Sequence, residues 1–153
     1  MDRWKGKSED GLADARVALY RNGMNSTGWL FAAAGYNLAL TVFHLGFWRI
    51  FRWREELPKL HLVNRGVMQV MNCMLIFVFL SMAVLQVVYA AEFTGTSLGR
   101  GLLLFMAGFW IVRAILQPVF FRRTAVVSWV FFLVFLAGAV LHAAAWWSAW
   151  PAA

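Results

Sequence analysis

A bilayer core is about 30 Å thick and an α-helix rises about 1.5 Å per residue, so a helical crossing takes roughly 20 apolar residues. Four runs of that length follow one another in this sequence: Gly28 to Ile50, Asn64 to Ala91, Gly101 to Phe121 and Val126 to Trp147. Transmembrane β-strands would be about ten residues long with alternating polarity, and these runs are long and continuous, so a barrel is excluded. With 62% hydrophobic and 14% charged residues, the chain has too little polar surface to cover a water-soluble core. The expected fold is all-α: an integral membrane four-helix bundle of four transmembrane helices in up-down topology. The short breaks between runs make sequential helices antiparallel.

Two regions follow from this pattern. Residues 28–153 form the four-transmembrane-helix domain, and residues 1–27 an N-terminal interfacial segment with four acids and five Lys or Arg. Glu9 to Asn22 is expected as a short amphipathic helix, with Leu12, Leu19 and Tyr20 on its apolar side. The first apolar run exceeds a signal-peptide core in length and is expected to stay in the mature protein.

The net charge of +7 comes from short basic clusters beside the apolar runs, a pattern that fits anionic headgroups and excludes nucleic acid as the partner. Arg49, Arg52, Arg54, Lys59, Arg65, Arg122 and Arg123 flank the first and third links, so the positive-inside rule puts those links in the cytoplasm of a cell-membrane protein with both termini outside. Trp146, Trp147 and Trp150 then form a belt at the outer interface. The single cysteine, Cys73, lies within a run and leaves no internal disulfide.

Polar side chains inside the runs carry the functional information, because hydrocarbon tolerates them only when they face the bundle interior, a partner or water. Asn37, Thr41, His44 and Trp48 share one helical face, as do His61, Arg65, Gln69 and Asn72, and as do Trp110, Arg113 and Gln117. Measured from the cytoplasmic ends, His44 lies about 9 Å deep, and Asn72 and Arg113 about 12 Å deep. These positions define a polar pocket open toward the cytoplasmic leaflet, lined by Arg113, His44, Asn72, Gln69, Gln117 and Trp48, with Arg65 and His61 at its rim and Ser128 nearby. Pro118 removes a backbone donor and is expected to bend the third helix beside it. None of the seven acids lies within a run, so Arg113 has no acidic partner there and calls for an anion, a carbonyl cluster or water.

Cofactors are not expected. His44 and His142, about 9 Å and 25 Å from the same end, are too far apart to share a haem iron. Met68, Met71, Met74 and Cys73 have a spacing that suits packing better than copper. No catalytic motif is present, and the absence of an intramembrane carboxylate argues against proton-coupled antiport. Small residues, Gly28, Ala32 and Gly35 in the first run, Gly101 and Gly108 in the third and Gly138 and Ala143 to Ala145 in the fourth, are expected where helices approach closely.

His61, Asn64 and Arg65, with Arg113 followed by Arg122, loosely resemble the basic pattern of the membrane-associated family of eicosanoid and glutathione metabolism. That family's acidic residue shortly after the asparagine has no counterpart, the first link is shorter, and a further N-terminal segment precedes the first run. Membership is not inferred.

The expected function is that of a small multi-pass protein binding a lipid or anionic amphiphile in the Arg113 pocket, or serving as an accessory membrane subunit. An enzyme acting on a lipophilic anion, with His44 or His61 moving protons, and a channel or facilitator are the alternatives. Expected partners are membrane lipids and a small amphiphilic ligand, with a homo-oligomer or larger membrane complex left open.

Overall fold

The computed structural model describes residues 25–121 and 126–150. The proposed N-terminal amphipathic helix and the Arg122–Thr124 link lie outside the described residues. Four helices are long and apolar enough to span a membrane: α1 (Asn25–Leu45), α4 (Leu62–Val88), α6 (Ser97–Phe120) and α7 (Val126–Ser148). Short α2 (Phe47–Ile50) and α3 (Trp53–Glu56), then a 3-10 turn (Leu57–Lys59), join α1 to α4, and α5 (Ala90–Gly95) leads into α6. In each span most of the apolar stretch faces outward, the reverse of a soluble bundle and the arrangement a lipid solvent requires.

The interior follows a three-and-four repeat. Ser26, Leu30, Ala33, Asn37, Leu40 and His44 are buried along α1, as are Ser128, Phe135, His142 and Ala149 at seven-residue steps along the last helix and its end. Such a seam lets neighbouring helices interdigitate along their whole length. Contacts run Asn37–Gln86 and His44–Asn72 between α1 and α4, Phe79–Trp110 between α4 and α6, and Trp110–Phe135 and Gln117–Ser128 between α6 and α7. Tyr36 and Phe43 return from α1 to Val134 and Phe131 of α7, so the helices close a ring in chain order. Rising numbers on one helix meet falling numbers on the next, which is the antiparallel, up-down arrangement.

The first span differs from its expected extent. The helix ends at Leu45, and the Gly46 amide turns back to the carbonyls of Val42 and Phe43. A second joint follows at Arg52, whose φ of 50° is left-handed. Together the two joints fold the Phe47–Lys59 strap across one end of the bundle, with Trp53 and Leu57 tucked inward and the charged residues outward. At the opposite end the link between α5 and α6 shrinks to Thr96, whose hydroxyl accepts from the Gly99 amide at 3.0 Å and donates to the Glu92 carbonyl at 2.8 Å. α6 continues through Pro118 to Phe120.

Helix approach uses only some of the small residues that the sequence pattern indicated. Gly28, Ala32 and Gly35 face outward and nothing lies within 4 Å of a Cβ at Gly101 or Gly108, while Ala33, Ala34 and Ala145 are buried. Gly138 does lie at a close contact: a Cβ there would come 2.6 Å from the Tyr36 ring, which is anchored by its hydroxyl bond to the Val134 carbonyl at 2.8 Å. Gly138→Ala should therefore cost about 1–2 kcal/mol. Pairing it with Tyr36→Leu should return part of that loss in a detergent-unfolding titration; no recovery would rule out the ring contact as the cause.

Candidate functional site

The bundle interior is layered. At the Thr96 end, Asn37, Gln86 and His142 form a fully buried polar layer: Asn37 Nδ2 donates to Gln86 Oε1 at 2.9 Å and lies 3.2 Å from His142 Nε2, while His142 Nδ1 lies 2.7 Å from the Gly138 carbonyl. A carbonyl only accepts, so Nδ1 carries the proton and Nε2 of the neutral ring accepts from Asn37. Next comes an aromatic layer, in which fully buried Trp110 is stacked between Phe79 (5.1 Å between centroids) and Phe135 (6.0 Å), with Tyr36 edge-on at 5.1 Å.

Beyond this layer lies a partly open cavity of about 760 Å³, extending from Phe79 and Trp110 to the Phe47–Lys59 strap, Phe121 and Val127. Its volume falls within the roughly 300–1,000 Å³ of small-molecule sites. Its walls are chiefly aromatic: Phe43, Phe47, Trp53, Phe109, Phe131 and Phe135 all contribute. The polar exceptions within the spans are His44, Arg113, Gln117 and Ser128, with Glu56 and Lys59 at the mouth.

Arg113 is half-buried, and its guanidinium carbon sits 4.0 Å from the Phe135 ring centre and 5.9 Å from that of Phe121. The contact is a cation–π stack, which holds the planar group while leaving its rim N–H donors to other partners. Among the described residues Arg113 has no ion pair and no hydrogen bond; the two ion pairs there, Arg52–Glu55 and Lys59–Glu56, both lie on the strap. The Lys59 ammonium, 2.8 Å from Glu56, holds that exposed carboxyl below its ordinary pKa.

His44 Nδ1 is 2.8 Å from the Leu40 carbonyl, which fixes the proton on Nδ1 and leaves Nε2 of the neutral ring as an acceptor. The ring stacks on Phe47 with centroids 4.4 Å apart. Gln117 donates through Nε2 to the Ser128 hydroxyl at 3.4 Å, and its Oε1 is buried with no partner. The Trp110 indole N–H is likewise buried and unpaired.

No protein-family model, curated protein or solved structure matches this chain. What the cavity can do is therefore argued from its own geometry.

Of the eight pocket residues expected from sequence, Arg113, His44 and Gln117 line the cavity. Asn72 is buried beside it but donates to the His44 carbonyl at 3.2 Å, an acceptor that the helix break at Gly46 leaves without a backbone donor. Trp48 lies past that break and faces outward against Trp53. His61, Arg65 and Gln69 continue the Asn72 face of α4 but lie outside the lining. The reason is that α1 stops level with Asn72 and gives that face no straight helix to pack against. His61 is exposed at the start of α4, and Arg65 and Gln69 are half-buried.

Sequence reasoning missed the aromatic walls and Gln86. The walls had a signal, since Phe43 and Phe47 are spaced four apart, as are Phe131 and Phe135. Aromatic residues at helical spacing also describe any lipid-facing surface, so the signal had no direction. Among the described residues no three His, Cys, Asp or Glu side chains converge, and Cys73 is exposed on the outer surface.

Proposed function

We propose that this membrane protein binds an anionic amphiphile, with the charged head at Arg113 and the apolar part against the aromatic walls. One observation carries the reading: a guanidinium sits in a low-dielectric cavity among the spans, with aromatic rings against it and no acid, carbonyl or amide bonded to it among the described residues. A cation in such surroundings gains most from an anion that brings its own apolar body. The mouth lies on the side of the basic links, which the positive-inside rule assigns to the cytoplasmic leaflet.

A channel is less well supported, because Phe79, Trp110 and Phe135 separate the cavity from the Asn37–Gln86–His142 layer and interrupt any polar path. Arg113→Leu should reduce retention of a single-chain anionic lipid at least about tenfold, read by native mass spectrometry of gently solubilised protein. Arg113→Lys should retain part of it, because an ammonium supplies charge without the planar stack. Equal lipid retention by wild type and Arg113→Leu, at an unchanged thermal midpoint, would remove the basis of the proposal.

A further inference from the structure

The unpaired hydrogen-bonding groups of the residues lining the cavity define more than a charge. Arg113 is a donor only. His44 Nε2 is an acceptor, because Nδ1–H is held by the Leu40 carbonyl. Gln117 Oε1 is also an acceptor, buried and unpartnered in a residue only 2% exposed, while the amide nitrogen of the same side chain is engaged by Ser128. Besides the unpaired Trp110 N–H, the Ser128 hydroxyl and the Lys59–Glu56 pair at the mouth, the cavity thus offers one cationic donor and two neutral acceptors, and no acid from the spans lines it.

Headgroups differ in how they answer that set. A carboxylate or a phosphate monoester presents oxygens to Arg113 but little or nothing that donates to His44 and Gln117. A head that donates to one of these acceptors gains about tenfold in affinity over a head that does not. An ethanolamine head does donate, but it brings a second positive charge beside the guanidinium. A choline head is cationic and has no N–H. A head that joins an anion to hydroxyl groups answers all three, with the anion at Arg113 and the hydroxyls directed to His44 and Gln117.

We infer that the cavity selects an anionic amphiphile whose head carries hydroxyl donors next to the anion, as a phosphoglycerol or other polyol phosphate does. The inference rests on the proposed binding at Arg113 and adds which head is preferred. It assigns His44 and Gln117 as specificity-determining residues, whereas Arg113 provides affinity for any anion.

The test compares three lysophospholipids with the same acyl chain, bearing phosphoglycerol, phosphate or phosphocholine heads, titrated into the full-length protein in detergent and read by native mass spectrometry. Wild type should bind the phosphoglycerol lipid up to about a hundredfold tighter than the phosphate lipid, about tenfold for each acceptor, and the phosphocholine lipid most weakly. Gln117→Met, which keeps the volume and removes the amide acceptor, should cut the phosphoglycerol preference about tenfold, leaving the share that His44 contributes. Equal wild-type affinity for phosphoglycerol and phosphate heads would overturn the inference without needing any variant to fold. An undiminished preference in Gln117→Met would overturn the role of that amide. In both cases the binding reading survives if Arg113→Leu still loses all anionic lipids, and falls if Arg113→Leu binds them as wild type does.

Discussion

Asn37→Leu is expected to destabilise the bundle by about 2–4 kcal/mol, measured as a shift in reversible unfolding by denaturing detergent. The Asn37 amide nitrogen lies 2.9 Å from Gln86 Oε1 and 3.2 Å from His142 Nε2, and all three residues are fully buried. An interhelical hydrogen bond in a membrane is worth only about 0.6 kcal/mol on average, so the loss of two bonds does not account for the effect. The larger part comes from two acceptors left in an apolar interior with no donor, each costing about 1–3 kcal/mol. Removing all three polar groups together, as Asn37→Leu, Gln86→Leu and His142→Phe, should therefore be less damaging than Asn37→Leu alone. A triple variant as unstable as the single one would show that packing, and not orphaned acceptors, dominates the layer.

Gly99→Ala should cost about 3 kcal/mol or more, at the upper end of overpacking effects. A Cβ at Gly99 would run into the Glu92 carbonyl and come 2.5 Å from Phe93 Cα, and both are backbone atoms of α5 that no rotamer change can move. Opening the turn to admit it would also pull apart the two Thr96 hydroxyl bonds that link Glu92 to Gly99. Gly101→Ala, two residues on, is the control: nothing lies within 4 Å of a Cβ there, and alanine has the better helix propensity. That variant should be neutral or slightly stabilising. Equal midpoints for the two alanine variants would refute the tight α5–α6 turn.

The spans were legible because lipid imposes one requirement on every crossing segment, a satisfied backbone inside an apolar run, and four runs met it. The faces were legible over part of their length. Asn37, Thr41 and His44 are buried on one side of α1 as their spacing indicated. Trp48, next on that face, is not, because the helix breaks at Gly46. A lone glycine in an apolar run does not announce such a break, and the consequence spread to His61, Arg65 and Gln69 on the facing helix.

Gln86 was missed for a different reason. Between the His44–Asn72 and Asn37–Gln86 contacts, α1 advances by about 10 Å and α4 by about 21 Å of helix, so counting depth along the axes does not bring the two amides to one level. Side chains lean toward the N-terminus of their own helix, and on antiparallel helices these two lean toward each other. Arg113 was found because a cation without an acid in hydrocarbon stands out in a sequence. Its aromatic partner Phe135 was not, because fourteen phenylalanines gave no means of choosing among them.

The closed ring also dictates an order of events at biosynthesis. Asn37 bonds to residues 49 and 105 positions further along, so when α1 first enters the bilayer neither partner has yet been made. Its amide can reach Gln86 once α4 is in place, but His142 arrives only with the final helix, as does Ser128 for the Gln117 amide. A nascent chain halted before α7 would hold unmet amides in lipid, a state that quality-control proteases and chaperones can distinguish from the finished protein.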